Sequence, residues 1–114
     1  MATRAPIALV DGTYLPITDT TLTTCPTGER YTITSAKVVN VSAASATFSI
    51  HRVESGGSLT DEKLLVKTKG VCEGESQEIP ELIGTILEPS DYISAKASVA
   101  SAITIQIFAS RFIV

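Results

Sequence analysis

The feature that most constrains this sequence is a period of two in its apolar residues, held in short runs that turn chemistry keeps interrupting. In Ala46 to Val53, Ala46, Phe48 and Ile50 share one side while Thr47, Ser49 and His51 share the other. Ile103, Ile105 and Ile107 alternate in the same way with Thr104 and Gln106. Successive side chains of a β-strand point to opposite faces, so this alternation describes strands with one buried face. Turn residues recur at Asp11-Gly12, Pro26-Thr27-Gly28, Ser42 to Ser45, Ser55-Gly56-Gly57, Glu73-Gly74, Pro89-Ser90-Asp91 and Ala100-Ser101. Short strands so punctuated predict an all-β, single antiparallel β-sandwich of about eight strands. Further strands are expected at Ile7 to Val10, Leu22 to Cys25, Tyr31 to Val41, Lys63 to Lys69, Gln77 to Ile79, Leu82 to Leu87 and Tyr92 to Ala97. Thr60 to Lys63 can wind into one turn of helix, since Thr or Asp can cap its exposed amides.

Two strands break their own pattern. In Tyr31 to Val41, Lys37 falls on the parity of Tyr31 and Ile33, and a bulge or bend near Ser35 would return it to solvent. In the last strand, Phe108, Phe112 and Val114 lie on the parity opposite to that of the isoleucines. The apolar side is therefore expected to change near Ala109-Ser110, through a bulge, a doubly buried end or docking on another chain.

A chain of 114 residues holds one domain with one core. Residues 1–12 are read as an N-terminal arm and first strand, and residues 13–114 as the sandwich. Charged residues make up 18% of the chain, below the ~25% usual for soluble domains, which suggests that neighbours cover part of the surface. The net charge is −3 and the basic residues are scattered, so no clustered positive field exists to hold nucleic acid. No apolar run approaches the ~20 residues of a membrane-spanning helix, and Ile7 to Val10 is too short for a signal-peptide core. The protein is read as made in the cytoplasm. Cys25 and Cys72 are taken as two thiols, and the absence of paired Cys-x-x-Cys spacing argues against zinc.

The search for chemistry yields little. His51, the single histidine, is expected to be an exposed strand residue. Ser55 lacks the glycine and strand-to-helix context of a nucleophile elbow. The acids sit mainly in turns, without the density of a calcium loop. Tryptophan is absent, and Tyr14, Tyr31 and Tyr92 are too dispersed for a sugar-binding platform. No enzyme activity, cofactor or metal is expected.

Two stretches carry a resemblance. The first runs from Cys25-Pro-Thr-Gly-Glu-Arg-Tyr through Lys37-Val-Val-Asn-Val-Ser42 and a polar turn into Ala46 to Val53. The second is Ile83-Gly-Thr-Ile-Leu-Glu-Pro-Ser-Asp-Tyr-Ile-Ser-Ala-Lys-Ala-Ser98, followed by the Ile-rich strand. Together they resemble small, jelly-roll-like β-sandwich virion proteins of tailed bacteriophages, with serine at position 90 where glycine is more usual. That serine is taken to mean a turn without a positive φ.

The resemblance implies a head decoration (cement) protein that bridges neighbouring major capsid subunits, located in the virion, as a homo-oligomer with a trimer favoured. A neck, collar or tail adaptor and a carbohydrate- or host-surface-binding module are the alternatives. Candidate interface residues are Arg4 and Ile7 of the arm, Leu59 of the loop Glu54 to Glu62, and Phe108, Phe112 and Val114. The C-terminal three have a second reading, closing the sandwich core. Lys67, Lys69 and Lys96 are candidates to guard an exposed strand edge.

Overall fold

A computed structural model describes the backbone of residues 3–113 and the side chains of residues 5–113. The described residues form nine strands: β1 (Thr3–Tyr14), β2 (Thr20–Thr24), β3 (Glu29–Asn40), β4 (Ala46–Val53), β5 (Leu64–Val71), β6 (Ser76–Glu78), β7 (Ile86–Leu87), β8 (Tyr92–Ala97) and β9 (Ile103–Ile113). Short 3-10 turns at Asp61–Lys63 and Pro80–Leu82 are the helical elements among the described residues. The first sheet has the order β1-β9-β3-β6, with β7 also pairing to β3, and the second has the order β2-β8-β4-β5. All pairings are antiparallel. The chain crosses from sheet to sheet at most connections, so that its last strand returns between β1 and β3. This is the double Greek-key winding of a jelly roll.

The core lies between the sheets. Ile33 and Val38 from β3 and Ile103, Ile105 and Ile107 from β9 meet Phe48 and Ile50 from β4 and Ile93 from β8. Leu15, Ile79, Leu82 and Leu87 seal the ends, each fully buried. β-Branched side chains suit both the pleated backbone and this interdigitation.

The bulge expected near Ser35 is present as a register shift between Ile33 and Ser35, which puts Lys37 outside opposite Gln106. Its counterpart lies in β1, where the register with β9 shifts between Ala8 and Val10. Both extra residues, Thr34 and Leu9, sit beside Phe108, so β9 runs regularly between two bulged neighbours. The segment read as an arm is, from Thr3 onward, the start of edge strand β1, paired to the end of β9.

Three expectations need correction. Asp11-Gly12 does not end a strand. It forms a second bulge inside β1, where Gly12 adopts φ +68°, a conformation open to glycine at little steric cost. The apolar side of β9 does not change either. Ala109 stays inward with the isoleucines, and Phe108 points out. The inward position at this end needs only the small Ala109 and then Arg111, whose Nε lies 3.8 Å from Oε1 of Glu29. Lastly, Ser90 does have a positive φ, +71°. The Asp91 amide donates to Glu88 O at 3.0 Å across Glu88-Pro89-Ser90-Asp91, a type II arrangement with proline second and the left-handed residue third. The Ser90 amide donates to Cys25 O at 2.7 Å, which helps to hold the strained residue in place.

Candidate interaction surface

Buried polar groups are the first place to look for chemistry, because leaving them unpaired is costly. Asp91 is 3% exposed. Its Oδ2 accepts from Arg52 Nη2 at 2.7 Å and from the Glu88 amide at 2.9 Å, while its Oδ1 accepts from the Ser55 amide at 2.9 Å. Arg52 also donates to Ile86 O at 2.9 Å. One carboxylate thus ties together the end of β4, the turn after it and the turn before β8. Asn40, fully buried, does the same at the opposite corner. Its Nδ2 donates to Ala44 O and Val71 O, both at 2.9 Å, and its Oδ1 accepts from the amide and hydroxyl of Ser42. Both residues spend their hydrogen-bonding capacity on holding loops.

His51 corrects an expectation, being 7% exposed where a solvent-facing residue was expected. It does leave β4 on the outward side, but Asp19 from the β1–β2 connection approaches it and Leu64 at the start of β5 is its cross-strand neighbour. Its Nδ1 lies 3.7 Å from Asp19 Oδ1 and has no hydrogen-bond partner. The neighbouring outward hydroxyl, Ser49 Oγ, accepts from the Thr68 amide and is not poised as a nucleophile. Among the described residues no group of three or more His, Cys, Asp and Glu is placed to hold a metal ion, and no helix is long and apolar enough to cross a membrane.

Both cysteines are free. Cys25 is buried, its Sγ 3.2 Å from Glu29 O, and burial, reinforced by the Glu29 charge, pushes its thiol above the usual range. Burial likewise raises the Tyr31 phenol, with Glu29 adding to the effect. Tyr31 is therefore a core residue, while Tyr14 is exposed at the end of β1. The tyrosines form no common platform.

The loop after β4 is closed by Lys63 Nζ on Glu54 Oε1 at 2.6 Å, and this hydrogen bond holds the Glu54 carboxyl below its usual range. Leu59, at its tip, is exposed. The edge lysines divide. Lys67 and Lys69 are on edge strand β5, where Lys69 reaches Glu81 at 3.2 Å, but Lys96 is on β8, paired on both sides by β2 and β4, and guards no edge.

Of the exposed large apolar residues, Ile17, Val41, Leu59, Ile83 and Val99 lie in loops, while two stand on the outer face of the first sheet. Phe108 is 39% exposed and Ile86 46% exposed, with Phe112 partly exposed further along β9. Cross-strand partners share a face, so Ala8 beside Phe108 and Pro6 beside Ser110 extend the patch onto β1. Arg30, Thr32, Ile86, Ser110 and Phe112 line a hollow of about 250 Å³ in it. The Arg30 guanidinium is held at the rim by Glu88, with Nε 3.1 Å from Oε1.

Of the residues expected at an interface, Phe108 and Phe112 meet on this face. Ile7 turns inward against the core, because its partner in β9 is the inward Ala109. Leu59 lies in the β4–β5 loop, away from the patch's strands. The side chain of Arg4 and all of Val114 lie outside the described residues. Ile86 was missed: a two-residue strand carries too little alternation to show which side faces out.

No protein-family model matches the sequence, and no curated protein matches it. Solved structures share its fold. A chain from the structure of infectious bursal disease virus, Gx strain, aligns over 99% of this protein with a TM-score of 0.60 and 12% identity. This protein spans 33% of that chain. A chain from Bacillus endospore appendages, described as a family of disulfide-linked pili, aligns over 99% of this protein and 88% of its own length, with a TM-score of 0.57 and 12% identity. At this identity the likeness establishes the shared fold. The class defined is a two-sheet, jelly-roll-like β-sandwich of a kind that also occurs in a virus and in a pilus.

Proposed function

We propose that this protein is a non-enzymatic structural subunit of a large protein assembly, and within that class a bacteriophage head decoration protein that stabilises the shell by bridging major capsid subunits. The observation that carries the reading is the division of labour among its side chains. The buried polar residues Asp91 and Asn40 are consumed in holding loops, whereas large apolar side chains stand on the outer face of a sheet whose inner face already fills the core. Contiguous exposed apolar surface of this kind marks a contact. The likeness of Cys25 to Val53 and Ile83 to Ser98 to phage virion proteins supports the finer assignment, and the fold shared with a viral chain agrees with it.

Binding that is confined to the assembled lattice would stabilise it by mass action, repeated over many equivalent sites. The test is to add purified protein to expanded, undecorated heads of the phage that encodes it and to follow thermal disruption. Saturable binding in hundreds of copies with a raised disruption temperature is expected. Binding in a ring of about six to twelve copies would move it to the neck or tail, given closed symmetry. Turnover of a substrate by the isolated protein would overturn the reading.

A filament subunit is the second reading. It is favoured by the match to almost the whole length of the pilus chain, where the viral chain is matched over a third. Electron microscopy of the concentrated protein separates the two, since a filament subunit polymerises without a shell.

A further inference from the structure

We infer that a recess on the outer face of the second sheet, beside the bulge opposite Ser49, binds a carboxylate carried on a short aliphatic stem. This site is independent of the structural-subunit reading. A strained residue marks the place. In the β4–β5 ladder Phe48 faces Lys69 and Ile50 faces Val66, so Ser49 stands opposite two residues, Lys67 and Thr68. A bulge of this kind re-aims side chains, and on an edge strand it also hinders pairing with other chains. Edge protection does not require threonine, however. Thr68 has φ +50°, where a β-branched residue is an outlier and glycine would sit at little steric cost. Such strain persists where the surrounding structure enforces it, and it gathers at ligand clamps. Here the Thr68 amide is held by Ser49 Oγ, to which it donates at 2.9 Å.

Hydrogen-bond donors are concentrated around this bulge. A hollow of about 220 Å³ lies beside it, lined by Thr47 and Ser49 of β4, Thr68 of β5, Lys96 of β8, Ser98 just beyond β8, and Ile17. Ser98 Oγ accepts from the Thr47 amide at 2.9 Å, as Ser49 Oγ does from that of Thr68, so each hydroxyl keeps its own proton to donate. Ser49 is 8% exposed although it leaves β4 on the outer side. Its cross-strand partner Lys96 supplies the positive charge. The Lys96 side chain is 46% exposed, and its Nζ lies 4.0 Å from Asp19 Oδ2, beyond hydrogen-bond length. Among the described residues no acid lines the hollow.

The donor set selects the ligand. Several hydroxyls around one ammonium suit an acceptor with a single negative charge. A carboxylate has two oxygens with about four lone-pair sites and no donor to oppose them. A phosphate, at about −1.5 to −2, calls for more than one cation. Ile17 forms an apolar wall for the stem, its segment fixed by the Ala97 amide donating to Pro16 O at 2.8 Å. The hollow is smaller than the ~300 Å³ at which drug-sized pockets begin, which fits a stem of a few carbons. An acidic side chain of a neighbouring subunit and a free small acid share this chemistry. The assignment also gives a use to Lys96, which guards no edge.

The test is amide-resolved NMR of the full chain at neutral pH, titrated with propionate at constant ionic strength and with propionamide as the neutral match. Propionate is expected to shift the amides of Thr47, Ser49, Thr68 and Ser98 saturably, in the millimolar range, and propionamide to leave them in place. Lys96→Met weakens binding about tenfold or more, whereas Asp19→Asn, which frees Lys96, tightens it roughly threefold. Thr68→Gly, checked by circular dichroism and thermal melting, folds at least as stably and yet binds more weakly, which a purely structural threonine would not produce. A blocked glutamate, N-acetylglutamate methylamide, separates the two sources: tighter binding than propionate supports a protein side chain, weaker binding a free acid. Absence of a saturable shift at about 100 mM propionate, an equal response to propionamide, unchanged affinity in Lys96→Met or Thr68→Gly, or tighter binding of inorganic phosphate overturns the inference.

Discussion

Replacing Asp91 tests whether this sandwich depends on a single carboxylate to close one of its ends. In Asp91→Ala the amides of Ser55 and Glu88 lose their acceptor, and so does Arg52. A lost backbone hydrogen bond costs about 1 kcal/mol net and a charge-assisted one about 1.5–3 kcal/mol. The Arg52 side chain is 30% exposed, so its freed charge recovers some hydration, and a total of about 3–4 kcal/mol results. That is a large share of the ~6–17 kcal/mol expected for a domain of this length. It corresponds to a fall in Tm of roughly 12–16 °C.

Asp91→Asn makes the argument sharper. The two oxygens face different donors, Oδ1 towards Ser55 and Oδ2 towards Arg52 and Glu88, and an amide has one oxygen. Either orientation sets an NH2 group against a donor, so this near-isosteric change should still cost about 2 kcal/mol. Urea unfolding of the three proteins, with m-values compared to establish that the unfolded states are alike, measures both losses. A loss below about 1 kcal/mol for alanine, or a neutral asparagine, would refute the claim that this carboxylate organises the end of the sandwich.

Ser90→Gly should stabilise the protein by about 0.5 kcal/mol, the relief of left-handed strain being partly offset by the greater freedom of glycine in the unfolded chain. Thr68→Gly should gain more, about 1 kcal/mol, because a β-branched residue at φ +50° is under greater strain, and thermal melts of the two variants check the order. A thiol reagent should label the exposed Cys72 at once and the buried Cys25 at the rate of global unfolding, as peptide mapping after timed quenching would reveal. The Glu54 carboxyl, held low by Lys63, contributes stability above its unfolded pKa and loses it as pH falls through the folded value. Lys63→Met should return its NMR titration midpoint upward towards the ordinary glutamate range, and an unmoved midpoint would remove Lys63 as the cause.

Much of the architecture was legible because strand physics is local. The bounds of β4 and β8 coincide with the alternating runs Ala46 to Val53 and Tyr92 to Ala97, since backbone pleating alone sets which side chains share a face. The bulge in β3 was visible in one residue, because a lysine on the apolar parity has no stable place in a core. The candidate surface was partly legible in Phe108 and Phe112, which broke the pattern of β9.

What alternation does not carry is the identity of whatever lies over each face. His51 is on the polar parity of β4 and is nevertheless buried, with Asp19 of the β1–β2 connection 3.7 Å from its Nδ1 and Leu64 of β5 as its cross-strand neighbour. Ser90 chose a glycine-like backbone because Cys25 and the loops gathered on Asp91 hold the turn from outside. The sequence by itself determined an all-β fold, most of its strands and the bulge that keeps Lys37 in water, since each follows from the period of two. Tertiary structure decided that Phe108, Phe112 and Ile86 share one outer face around a hollow. The physical reason is that strand pairing brings β9, β3 and β7 side by side, and no local periodicity records which strands will be neighbours.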